Sequence, residues 1–185
     1  IQGFADAAEI ATSILVSGGM IALLNHTGTM DAGIGVLLKR FSGNTLIIIL
    51  MAVFALMGSV YGAWEELPAY AVIVIPLFVS AGYDAVTGMM VILIGATVGN
   101  MASVVNPYSI GAAVAAIGNP GLSLGSGILL RMILFAVMLA VGILMVLRYA
   151  SKVKKAPESS LAKGAENALN IKENVGVTPM TKRRK

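Results

Sequence analysis

Long apolar runs separated by short polar breaks organise this chain. Ile10–Met30, Asn44–Trp64, Leu67–Tyr83, Ala85–Leu130 and Met132–Leu147 each pass without a formally charged residue. A bilayer's hydrocarbon core is about 30 Å thick and takes about 20 apolar residues of helix. Period-two alternation is missing, so helices are the only plausible spanning elements. The run from Ala85 divides at Gly118-Asn119-Pro120-Gly121, a strong turn signal. It leaves Ala85–Ile117 and a last helix over 122–148. As one straight helix, 85–117 would be about 50 Å long, too much for one crossing and too little for two plus a turn. Asn106 precedes Pro107, which disfavours helical geometry there and removes a backbone donor. The pattern predicts one crossing, interrupted near Gly99–Ser109.

Glu65 and Glu66 stand between two apolar arms spanning 44–83. Two arrangements fit. In one, the arms cross fully and the acids sit in an interfacial loop with Trp64 as belt aromatic. In the other, the arms form a re-entrant hairpin whose glycine-rich tip lies near the midplane. Two uncompensated acids there would cost roughly 5–7 kcal/mol on insertion scales, so such a tip needs a wet cavity or cations.

Composition narrows the class. Of 185 residues, 57% are hydrophobic and 12% charged, against about 45–50% and about 25% in soluble domains. The absence of cysteine removes disulfides and thiolate metal sites, and one histidine, His26, cannot build a multi-histidine site. Lys152, Lys154, Lys155, Lys163, Lys172, Lys182, Arg183, Arg184 and Lys185 face three acids in 151–185, so this tail is net +6 and the body net −2. The basic balance describes a tail behind apolar spans, which is a cytoplasmic flank rather than a nucleic-acid surface. Lys39-Arg40 follows the first span, and both basic clusters are expected on the cytoplasmic side. An even number of crossings then separates them, which agrees with a single interrupted crossing over 85–117. No secretory signal pattern precedes the first span, and a start at Ile1 is taken as that of a fragment or truncated product.

Chemistry is expected at the interruptions. Unwinding over Gly99–Ser109 frees carbonyls and amides that can coordinate Na⁺ or a carboxylate if they face a cavity, and Asn100, Ser103 and Asn106 add side-chain partners. The rival account is a proline kink healed by neighbouring helices. Asn25-His26-Thr27 is taken as an interfacial cluster, Asp84 as a helix cap, and Arg131 as a snorkelling side chain with an ion pair as the alternative. Gly58…Gly62 and Gly95…Gly99 match the spacing for close helix approach. Gly121-Leu122-Ser123-Leu124-Gly125 matches a hydrolase elbow, but no strand precedes it and no nucleophile–base set accompanies it, so an enzyme is not expected.

Five local patterns carry a resemblance. They are Thr27-Gly28 with Asp31-Ala32-Gly33-Ile34; Gly62 with Glu65-Glu66; Gly82-Tyr83-Asp84 with Thr87-Gly88; Gly95, Gly99, Ser103, Asn106-Pro107-Tyr108 and Gly111; and Arg148-Tyr149-Ala150 with Lys152 and Lys154-Lys155. In this order and spacing the chain resembles the anaerobic C4-dicarboxylate carrier family, the DcuC/YfcC-like group of the ion transporter superfamily, over roughly 3–155. It looks like the first half of such a carrier. The resemblance implies two inverted halves, each with a hairpin and a broken helix, and a mid-membrane site. Here Gly62, Glu65, Glu66, Asn100, Ser103 and Asn106 would line it. Three positions depart from the pattern: Ala63 follows the tip glycine where Met is expected, and Asn100 and Met101 replace small apolar residues.

The expectation is an all-α integral membrane half-transporter, with a membrane domain over 1–150 and a basic cytoplasmic tail or linker over 151–185. Its spans are about 10–30, a hairpin 44–83, a broken helix 85–117 and a last helix 122–148. The function expected is secondary transport of a small carboxylate or amino acid across a bacterial inner membrane, by Na⁺ or H⁺ coupling or by exchange. No cofactor is expected beyond a coupling ion, with Na⁺ near Asn100, Ser103 and Asn106. The partners are the bilayer and a second transporter half or another copy, not nucleic acid. The alternative is a truncated, structural or regulatory membrane protein without transport of its own.

Overall fold

The computed structural model describes residues 43–64 and 66–162, with isolated positions between 8 and 41. The expected span at 10–30, most of the Asn25-His26-Thr27 cluster's surroundings, Lys39, Glu65 and the tail past 162 lie outside the described residues. Among the described residues there are helices and no strand. The helices are α1 (Asn44–Tyr61), α2 (Leu67–Ser80), α3 (Ala85–Ala102), α4 (Ala112–Ile117) and α5 (Ile128–Lys155). A π-helical turn, Pro107–Gly111, leads into α4, and a 3-10 turn, Pro157–Ser159, follows α5. By length and composition α3 and α5 are candidate membrane spans; α1, of the same 18 residues as α3, and the shorter α2 are apolar too.

Local chemistry sets these limits. Gly62 ends α1 in the left-handed conformation at φ 77°, its N–H returning to the Gly58 carbonyl, where a side chain would be strained. Pro68 sits in the first turn of α2, where a missing N–H costs nothing. Asp84 caps α3 by accepting from the Thr87 amide at 2.9 Å, as the sequence predicts. α3 stops at Ala102, and helix resumes only at Pro107. The last helix begins at Ile128 rather than Leu122. Gly118, Gly121, Gly125 and Gly127 hold 118–127 in turns, with the Gly121 amide donating to Asn119 Oδ1 at 2.9 Å. It runs past Arg148 to Lys155, because nothing interrupts the helix before Pro157.

α3 is the centre of the packing. α1 lies parallel to it, with Met51 and Phe54 against Gly95, and Ala55 and Ser59 against Gly99. A Cβ on Gly58 would stand 2.5 Å from the Ala96 carbonyl, and one on Gly99 would collide with the Ala55 carbonyl. The paired glycines therefore bring two backbones into direct contact, as their spacing permits. α2 returns antiparallel to α3 through the turn Ala81–Asp84, seating Gly88 against Val74, Ile75 and Phe78. α5 is antiparallel to α3: Arg131 meets Ser103, Gly142 meets Ile94 and Val98, and Tyr149 meets Asp84. Leu46, Ile47, Met51, Phe78, Ile92 and Val146 are buried between them. The outer side of α5 exposes Leu129, Leu130, Met132, Ile133, Val137 and Val141. Such a continuous apolar face suits hydrocarbon, not water.

Candidate substrate or ion site

Polar groups gather at two levels, one at each end of α3. At the C-terminal end, the α1–α2 tip and the chain after α3 are knitted together. Asn100 Nδ2 donates to the Ala63 carbonyl at 3.2 Å and to the Ala96 carbonyl at 3.1 Å. Asn106 Nδ2 donates to the Gly58 carbonyl at 3.3 Å and to Asn100 Oδ1 at 3.2 Å. The Val104 and Val105 amides donate to Ser59, at its Oγ (3.0 Å) and its carbonyl (3.3 Å). Gly62 is needed for space as well as turn geometry, since a Cβ there would stand 2.8 Å from the Asn106 amide. Ser103 holds φ at 26°, an uncommon value for a residue with a side chain. Its Oγ donates to the Asn100 carbonyl at 2.6 Å and shares a hydrogen bond with Ser109 Oγ at 2.8 Å.

Of the residues expected to form a site, Gly62, Asn100, Ser103 and Asn106 thus meet in one hydrogen-bonded cluster. Glu66 begins the chain's return into α2, and its Oε2 is buried with no hydrogen-bond partner among the described residues. Glu65 lies outside them. Trp64, beside the tip, is 49% exposed.

Sequence reasoning missed Ser59 and Arg131 as members of this cluster. Arg131 is neither snorkelling free nor ion-paired among the described residues. It donates to the Ser103 carbonyl at 3.3 Å and to the Leu124 and Ser126 carbonyls at 2.6 Å each. A guanidinium at the carbonyl end of α3 meets the negative pole of that helix. The signal was present: Arg131 is the one cation between Arg40 and Arg148. Among the described residues no three acidic or imidazole side chains gather. A cation at this level would be held by amide, hydroxyl and backbone oxygens.

The opposite level is built on Asp84, which is 3% exposed. Its carboxylate accepts from Thr87 Oγ1 (2.5 Å), Tyr149 Oη (2.7 Å) and Ser160 Oγ (2.7 Å), besides the capping amide. Burial alone would raise the Asp84 carboxyl. The donors from Ser160, Thr87 and Tyr149 outweigh it and hold the group below the usual carboxylate range. Lys154 Nζ lies 4.9 Å from the centre of the Tyr83 ring. Two patterns noted separately in the sequence, Gly82-Tyr83-Asp84 and Arg148-Tyr149-Ala150, are therefore two sides of one contact.

Two apolar helices of spanning length, one with a continuous apolar outer face, are what an integral membrane protein presents. The model of the C4-dicarboxylate anaerobic carrier family, DcuC, matches residues 1–183, and the chain belongs to that family, which agrees with that class. It is 37% identical over 156 residues to "Putative basic amino acid antiporter YfcC" of Escherichia coli K12, covering 83% of this chain and 30% of that protein. It is 34% identical over 112 residues to an "Uncharacterized protein" of Haemophilus influenzae, covering 60% of this chain and 22% of that one. The chain thus spans under a third of the length of these curated relatives. No solved structure matches it.

Proposed function

We propose that this chain contributes one half of the cargo site of a secondary carrier. The cargo is a small carboxylate or amino acid, moved across a bacterial inner membrane by Na⁺ or H⁺ coupling or by exchange. The observation that carries the reading is the cluster of Gly62, Asn100, Ser103 and Asn106 where α3 gives way, together with a buried Glu66 oxygen at the start of α2 that has no partner among the described residues. Glu66, with Glu65, serves a cation or a substrate ammonium. Asn100, Ser103 and Asn106, with the backbone freed there, serve an ion or a carboxylate. A second transporter half or a second copy completes the site. The relative described as a basic amino acid antiporter favours the amino-acid branch of this proposal.

The hairpin over 44–83 is re-entrant in this proposal. At 1.5 Å per residue, the 14 residues of α2 reach about 21 Å, short of the roughly 30 Å of hydrocarbon, which supports this arrangement. The crossing over 85–117 is the interrupted one, and the basic tail is cytoplasmic.

The test is flux in reconstituted vesicles, comparing this chain with a longer family protein that contains it. Dicarboxylates and amino acids are offered with and without Na⁺ or proton gradients. The expected result is ion- or exchange-dependent flux by the longer protein, abolished by Glu66→Gln and weakened by Asn106→Ala. Flux that survives both changes overturns the site. Absence of flux from the longer protein favours the structural or regulatory alternative.

A further inference from the structure

We propose that the C-terminal part of α5 carries a binding site for one anionic phospholipid. An open, shallow groove of about 360 Å³ along α5 is lined by Leu144, Leu147, Arg148, Ser151, Lys152 and Lys155. These positions follow helical spacing, so they share one face. The face is graded. Leu144 and Leu147 form the lower, apolar part, and three cations with one hydroxyl form the upper part. No acid lines the groove. Arg148, Lys152 and Lys155 are exposed.

A lipid answers both halves of this gradient at once. Its phosphate meets the cations, and the start of its acyl chains meets the leucines. A free phosphate would leave the leucines uncovered, and an apolar partner helix would leave the cations unanswered. Basic pockets at the cytoplasmic ends of membrane helices take anionic headgroups in this way. The depth agrees, because α5 is apolar below Arg148 and polar above it. Lys154 provides an internal contrast. It belongs to the same helix end and carries the same charge, but it faces the Tyr83 ring instead of the groove.

The experiment is native mass spectrometry of the whole chain, released from detergent with equimolar long-chain phosphatidylglycerol and phosphatidylcholine. Phosphatidylglycerol is expected to be retained at least about tenfold over phosphatidylcholine. Each cation removed from the groove is expected to lower that retention about fivefold, and Arg148→Gln, Lys152→Gln and Lys155→Gln together about 100-fold. Lys154→Gln is expected to leave it unchanged, and inorganic phosphate is expected not to displace the lipid. Thermal melting verifies that the variants are folded, and Lys152→Gln alone serves if the triple variant is not. Three results overturn the proposal: equal retention of the two lipids, an equal loss on Lys154→Gln and Lys152→Gln, or displacement by inorganic phosphate.

Discussion

Gly99 occupies a place that no larger residue fits, because any Cβ meets the backbone of Ala55 and Ser59. Backbone cannot yield as a flexible side chain does, so Gly99→Ala should destabilise the α1–α3 pair by about 1–3 kcal/mol. Gly121→Ala, in an exposed turn, should stay within about 0.5 kcal/mol. Unfolding in mixed detergent micelles compares the two. Asp84 gives a prediction with a pH signature. Its carboxyl titrates lower in the folded chain than the ordinary value of about 4. The stability it contributes is complete above about pH 4 and is lost as pH falls through the folded value. Melting of the native chain should fall steeply in that window. Asp84→Asn should melt lower at neutral pH and change less on acidification. Asp84's capping role was legible from its place before Thr87. Its bonds to Tyr149 and Ser160 were not, because no local rule links positions 65 and 76 residues apart.

The helices were legible where apolar runs met chain breakers. Gly62, Asp84 and the Asn106-Pro107 pair each mark an end that the structure respects. The start of α5 was misplaced by six residues, since hydropathy counts glycine and leucine in 118–127 as membrane-like while glycine resists helix. The interlock of tip and interruption was only half legible. Asn100, Ser103 and Asn106 stood out as polar groups in an apolar run, but nothing local set Ser59 apart. A buried amide left without Ser59 Oγ loses about 1–3 kcal/mol. Ser59→Ala should therefore loosen the tip, read as faster hydrogen exchange at Val104 with little change at Gly88. The proposed re-entrant geometry makes a distinct prediction. Glu65→Cys and Glu66→Cys at the tip should resist a membrane-impermeant reagent offered only from outside. Ready labelling of both by that reagent alone would mean that the two arms cross fully.

At the scale of the molecule, the charge asymmetry becomes spatial. Lys152, Lys154 and Lys155 end α5 at the level of Asp84, while Arg131 lies at the other end with the tip. Arg131 is a single cation at that end against three at the other, so the larger positive count stays on the proposed cytoplasmic side. Arg131→Gln should leave orientation unchanged and disorder the turns at 118–127. Protease sensitivity in sealed vesicles reports both. Family membership was legible from five short patterns, whose order along the chain resisted coincidence better than any one of them. One further property follows from the cluster at the tip. The chain's sole tryptophan, Trp64, is partly open and next to Ala63, whose carbonyl is held by Asn100. Its indole emission is thus a built-in reporter: whatever enters or loosens that knot changes the fluorescence of an unlabelled protein.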